Sequence, residues 1–169
     1  ALSWEIHDEV LSLAEAQEKF SCIVSRKRMS PRLVTVLASA ANASFCELFG
    51  GDFIAILIVF IATFNGFCLK SILPKYGLDQ KLATIAGCTV SAIIACTGFV
   101  FGISSTPEVA LATSVLYCVP GIPFANGISD MLYGHHLSSL SRMRNALTTT
   151  VCLSVGLCLA FVILNIKFV

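Results

Sequence analysis

Charge is what this sequence has least of. Only 12% of its 169 residues are Asp, Glu, Lys or Arg, and the formal net charge is +1. Soluble domains carry about a quarter charged residues. A near-neutral chain also has no field with which to hold nucleic acid, so no such partner is expected. The signatures of nucleotide use and hydrolysis are missing too. There is no Walker loop, no Gly-x-Ser-x-Gly elbow, no His-Glu-x-x-His and no Gly-x-Gly-x-x-Gly turn. ATP bound by this chain is therefore not its energy source, and no nucleophile–base pair argues for an enzyme. Eight cysteines are present but no Cys-x-x-Cys pair. Zinc and dithiol chemistry lack their spacing, and neither a metal nor another cofactor is expected. Cys46, Cys68, Cys88, Cys96, Cys118, Cys152 and Cys158 lie inside apolar runs, where small packing residues are the expected role. Cys22 lies in a more polar segment.

What is there is apolar surface. Hydrophobic residues make up 56% of the chain, and mean hydropathy is +0.86. A chain this short cannot hide so much of it in a water-soluble core, so lipid must cover the excess. Residues 33–49 carry one charge, Glu47, and residues 53–69, 82–107, 109–129 and 145–166 carry none. A helix needs roughly 20 residues, range about 17–25, to cross the hydrocarbon core. The pattern predicts spans over about 33–49, 53–70, 82–104, 108–126 and 143–166. The first two are short, and Arg32 and Lys70 can snorkel at their ends. Gly50-Gly51 reads as an outer turn, and Leu73 to Gly77 as an inner loop.

Residues 1–30 read as a cytoplasmic amphipathic helix and basic linker. Ile6, Val10, Leu13, Phe20 and Val24 form the apolar stripe, and Arg26-Lys27-Arg28 ends the segment. The acidic polar face favours packing on a partner or the inner membrane face. Ser30-Pro31 looks like an N-cap followed by a first-turn proline. The segment is not a signal peptide; the chain begins at Ala1, and residues upstream of it are expected. Lysine and arginine set the orientation. Arg26, Lys27, Arg28, Arg32, Lys70, Lys75, Lys81, Arg142 and Arg144 fall on one side of five spans, and Lys167 alone on the other. The expected fold is an all-α integral membrane protein. Five transmembrane helices follow one amphipathic helix, with the N-terminus cytoplasmic and the C-terminus outside.

The stretch Val119-Pro120-Gly121-Ile122-Pro123 interrupts the fourth apolar run, at 120–123. Proline removes a donor and clashes with the preceding turn, and Gly121 permits backbone barred to other residues. Helical rise from Pro107 puts Pro120 roughly 20 Å along, past the middle of a roughly 30 Å core. Broken backbone at that depth survives inside protein or beside a water-filled cavity. It can then line a solute path, as in carriers with discontinuous helices; a plain proline kink is the alternative.

Candidate path residues are Pro120, Gly121, Pro123, Asn126, Asp130, Glu47 and Asn65. Asp130 could carry a proton if buried, or simply cap a helix. Glu47 could gate, or only reach the outer interface. Asn65, like Asn42, needs a partner in lipid, which can be another helix. Asp52 reads as solvated or as a cap. His135-His136 reads as a loop or interfacial pair. Arg142 and Arg144 are either positive-inside anchors or the wall of an inner, anion-attracting vestibule.

Three places carry a family resemblance. The first is Leu37-Ala38-Ser39-Ala40-Ala41 through Phe45 to Leu48-Phe49-Gly50-Gly51. The second is Val119 to Pro123, continuing through Asn126-Gly127-Ile128-Ser129-Asp130-Met131-Leu132. The third is Gly134-His135-His136-Leu137 to Arg142. In these the chain resembles the N-terminal membrane domain of the threonine/serine exporter family, the group with YjjP-type subunits of split exporters. The resemblance implies an exporter of small amino acids or C4-dicarboxylates such as succinate, driven by the proton gradient, in the bacterial inner membrane. It also implies a second membrane module; with five spans here, a separate YjjB-type subunit is expected to supply it. Small residues on several helices make a homo- or hetero-oligomer plausible. A non-transporting scaffold that assembles membrane partners is the competing reading.

Overall fold

A computed structural model of the chain describes residues 12–25 and 29–165. The chain divides into two units, Ala1–Pro31 and Arg32–Val169. The described helix of the first is α1, Leu13–Ser25. Ser12 starts it with a capping box: its hydroxyl and its N–H both donate to Glu15 Oε2, at 2.8 and 2.9 Å. Those bonds, the backbone one first, hold the Glu15 carboxyl below its ordinary pKa. Phe20 and Val24 of the apolar stripe are exposed. Ile6 and Val10, the basic cluster Arg26-Lys27-Arg28, and Lys167 lie outside the described residues.

The second unit is helical throughout its described length. Its elements are α2 (Pro31–Leu48), α3 (Phe53–Ile72), a 3-10 turn (Leu73–Tyr76), α4 (Gln80–Phe101), α5 (Pro107–Ser114), a second 3-10 turn (Leu116–Cys118), α6 (Gly121–Leu132) and α7 (His136–Leu164). Pro31 and Pro107 occupy first helical positions, where a missing N–H costs nothing. Among the described residues, three helical segments are long and apolar enough to cross a membrane: Phe53–Tyr76, Gln80–Phe101 and His136–Leu164. The bent pair α5–α6, taken as one span, makes a fourth. This is a multi-pass membrane protein. Where the first span was expected lies the 18-residue α2, long enough to qualify but short of that standard of hydropathy. It buries Thr35, Ser39 and Asn42 along one side.

Two boundaries differ from expectation for physical reasons. Helix α7 starts at His136, not near 143, because arginine is a good helix former. Arg142 and Arg144 are therefore two of its early residues rather than part of a loop. The run expected as the fourth span breaks earlier than the proline pair, as described below.

Small residues set the packing, as expected where lipid removes the hydrophobic drive between helices. α3 crosses α4 where Gly66 meets Gly87; a Cβ on Gly66 would stand 2.6 Å from the Gly87 carbonyl oxygen. α4 meets α7 at Gly156, where a Cβ would stand 2.8 Å from Cys88 Cβ. Thr89 Oγ1 donates to the Gly156 carbonyl at 3.1 Å in the same crossing. Cys88 and Ala92 of α4, Val115 and Cys118 of the break, and Ala160 of α7 form one buried cluster. Cys46, Ala55, Val59 and Ala110 form another that joins α2, α3 and α5. All eight cysteines are free thiols, and those at 46, 88, 96, 118 and 152 are buried.

Asp52 ties the two turns at the α2–α3 end together. It caps α3 by accepting from Ala55 N at 3.2 Å. It also accepts from Ser104 Oγ at 2.5 Å and Thr106 Oγ1 at 2.9 Å, in the turn between α4 and α5. The Ser104 hydroxyl first, then Thr106 and the Ala55 and Ser105 amides, hold its carboxyl below the ordinary aspartate range.

A broken span above a basic pocket

Helix α5 ends at Ser114, only eight residues from Pro107, or about 12 Å of rise. The chain then turns through Leu116–Cys118 and resumes as α6 at Gly121, bent by 59°. Interruption thus begins before Pro120 rather than at it. Pro120 is the N-cap of α6 and Pro123 lies in its first turn, where amide donors are unpaired in any helix. The prolines start the second half-helix; they do not kink a continuous one. Gly121 has no positive φ, and a Cβ there would meet nothing within 4 Å. Its conformational freedom is not used in this state.

The backbone at the break is satisfied from within. Thr63 Oγ1 of α3 donates to the Ser114 carbonyl at 3.2 Å and accepts from Asn42 Nδ2 of α2 at 3.1 Å. The Val115 and Leu116 carbonyls accept from the amides of Cys118 and Val119 at 2.9 and 3.0 Å. Beside them, Ser91 Oγ donates to the Ala62 carbonyl at 2.9 Å and lies 3.1 Å from Tyr117 Oη. Lys70 Nζ lies 5.5 Å from the Tyr117 ring centroid and 3.6 Å from Cys118 Sγ. Irregular backbone in a membrane is tolerated where protein encloses it, and here Thr63, Asn42 and Ser91 help do so. Sequence reasoning singled out Asn42 and read Lys70 only as a snorkelling span end and topology marker, but missed Thr63, Ser91 and Tyr117. The one available signal was polar side chains inside charge-free runs.

α6 and α7 form a hairpin through Gly134, at φ +79, which a side chain would strain. They touch where Ser139 Oγ donates to the Gly127 carbonyl at 2.7 Å. One turn on, Arg142 Nε stands 2.8 Å from Asp130 Oδ2. This oxygen has almost no solvent contact and receives no aligned hydrogen bond, so the contact is an ion pair off the hydrogen-bond axis. The His135 amide donates to the Asp130 carbonyl at 2.8 Å. Arg142 also belongs to the wall of a cavity of about 460 Å³ with Lys81, Ser141, Arg144, Asn145 and Thr148. Three cations therefore share one pocket, at the start of α4 and the first turns of α7.

The expected site residues thus separate into groups. Pro120, Gly121 and Pro123 make the head of α6, and Asp130, Arg142 and Arg144 come together at its far end with Lys81, which had been read only as a topology marker. Asn126 is exposed on α6. Glu47 is exposed in the last turn of α2, and no contact joins it to Asp130. Asn65 is exposed on α3, its amide donating to its own helix at the Ile61 carbonyl, 2.8 Å away.

Comparison with known proteins gives a family. The model of the family described as "Putative threonine/serine exporter" matches residues 1–164. "Probable succinate transporter subunit YjjP" of Escherichia coli K12 is 30% identical over 139 residues, 80% of this chain and 53% of that protein. The protein of the same name in Klebsiella aerogenes is 26% identical over 165 residues, 94% of this chain and 62% of that one. The chain thus spans between about half and three-fifths of the length of these relatives. No solved structure matches it.

Proposed function

Because the chain belongs to the threonine/serine exporter family, we propose that it is one subunit of a proton-coupled inner-membrane exporter of small carboxylate-bearing metabolites. The broken span α5–α6 lies beside the solute path, and Lys81, Arg142 and Arg144 form its inner vestibule. The observation that carries this is the one pocket shared by those three cations, between the start of α4 and the first turns of α7. Focused positive charge raises the local concentration of anions and speeds their entry.

The relatives are named for succinate and the family for threonine and serine. All three solutes bear a carboxylate. Three cations suit a dianion better than a zwitterion, whose ammonium they repel, so a C4-dicarboxylate is the favoured substrate. Asp130, the carboxylate facing Arg142, is the candidate proton carrier.

Five spans are favoured, with α2 as the first. Counting it puts the nine lysines and arginines from Arg26 to Arg144 on one face and Lys167 on the other, the asymmetry expected for a cytoplasmic N-terminus. The relatives' names call them subunits, which supports a YjjB-type partner completing the path. Exposed Asn65, inside the charge-free run 53–69 of α3, supports a helix contact beyond this chain, since an amide facing hydrocarbon gains from a polar neighbour.

The test is efflux of labelled succinate from liposomes holding this chain with and without its partner subunit. The expected result is efflux that needs both chains and responds to an imposed pH gradient. Efflux indifferent to the gradient removes the proton coupling. No efflux under any condition, with both chains folded, favours a scaffold.

A further inference from the structure

Arg142 belongs to two structures at once. Its guanidinium faces Asp130 at 2.8 Å, and it walls the pocket with Lys81 and Arg144. The two ends of the pair are unlike. The Arg142 side chain is 49% exposed and that of Asp130 is 21% exposed, with Oδ2 shut off from solvent. The contact uses Nε, off the hydrogen-bond axis. A guanidinium can instead offer a carboxylate two parallel N–H bonds, a stronger and more directional pairing.

We propose that Arg142 is a shared cation: a carboxylate entering the pocket takes it from Asp130, and Asp130 takes up a proton as the anion binds. The proposal rests on the reading of the pocket as the anion's entry site. A carboxylate with one oxygen shut off from water that loses its counter-charge is costly to keep ionised, and the usual resolution is neutralisation. The step balances simply. One O–H bond forms on an Asp130 oxygen as one breaks on a hydronium ion or buffer acid in the solvent before the pocket, whose conjugate base stays in solution, and the guanidinium stays cationic throughout. Anion and proton then bind cooperatively, each raising the affinity for the other by the same factor.

Charged and titratable groups come to this place from three helices, α6 bringing Asp130 itself with Tyr133 at its C-cap. α7 brings Arg142, Arg144 and, at its head, His136, with His135 just before it; α4 brings Lys81. Arginine and lysine keep their charge near neutrality. The histidines are the competing source of a proton, and a His135→Gln, His136→Gln background removes them.

The experiment is titration calorimetry of succinate into the purified protein at pH 7, in buffers of different ionisation enthalpy, which reads protons exchanged per ligand. The expected result is uptake of about one proton per succinate, since one carboxylate titrates. Uptake persists in the histidine-free background and disappears in Asp130→Asn, which still binds. Infrared difference spectra of the unaltered protein serve as a second readout if that variant misfolds: a protonated carboxyl band appears on adding succinate. Succinate binding with no proton uptake and no such band overturns the exchange and leaves the pocket as an anion site. Uptake that vanishes in the histidine-free background also overturns it. Failure of the folded protein to bind succinate removes the pocket reading, and the exchange with it.

Discussion

Thr63 Oγ1 stands 3.2 Å from the carbonyl oxygen of Ser114, 51 residues further along the chain, and so closes the break between α5 and α6 from the side. The same hydroxyl accepts from Asn42 at 3.1 Å. One side chain therefore links three helices at the point where the backbone loses its regular bonding.

Thr63→Val keeps the shape and removes both bonds. Interhelical bonds of this kind are worth about 1–2 kcal/mol at most in membrane proteins, and the change leaves a buried carbonyl and a buried amide unpaired. Thermal unfolding in detergent should shift down by a few degrees. Asn42→Leu on top of Thr63→Val should cost less than the sum of the two single changes, which a double-mutant cycle measures.

Gly66 and Gly121 should respond oppositely to alanine. A Cβ on Gly66 runs into the Ser91 hydroxyl, the Tyr117 hydroxyl and the Gly87 backbone, so Gly66→Ala must push α3 and α4 apart and should destabilise by about 1–3 kcal/mol or more, as overpacking does. Gly121→Ala meets nothing within 4 Å and should melt at or slightly above the parent temperature. If its transport falls all the same, the head of α6 uses glycine's freedom in another state of the cycle.

Asp52 makes the α2–α3 and α4–α5 turns acid-sensitive. Its carboxyl is held below the ordinary aspartate value, so its contribution to stability is complete above that value and declines as pH falls toward the lowered native one. Melting temperature should therefore drop below about pH 4, and the part due to this group should be absent in Asp52→Ala. At neutral pH the variant should melt lower than the parent, since a helix cap and two inter-turn bonds are gone.

Much of this was legible in the sequence, and what was missed shares one cause. Charge-free runs and turn residues marked α3 and α4 closely, and the end of α7, because hydrophobic length is a one-dimensional property. The start of α7 was placed late because charge was read as a boundary, while a helix continues through Arg142 and Arg144 into the interface. The break was visible in its prolines but misplaced, since prolines at a helix start leave the preceding turn, Val115 to Val119, to irregular backbone. Asp130 and Arg142 were each singled out, yet their pairing depends on the α6–α7 hairpin. Lys81, Thr63, Ser91 and Lys70 acquire roles only from helix crossings between residues far apart in sequence.

Side-directed labelling checks the count of spans. In a cysteine-free background, a thiol replacing Tyr76, which is 81% exposed, should react only from the cytoplasmic side. Thiols at Gly50 and Ser105 should react only from outside. Gly50 and Tyr76 labelling from the same side would mean that α3 does not cross.

If a carboxylate enters through the pocket walled by Lys81, Arg142 and Arg144, equilibrium binding of labelled succinate must depend on those cations. Lys81 and Arg144 are exposed, so Lys81→Gln with Arg144→Gln should leave the unliganded melting temperature unchanged. Succinate affinity should fall about tenfold or more, since each factor of ten is only 1.4 kcal/mol. A folded double variant that binds succinate as tightly as the parent protein contradicts the account.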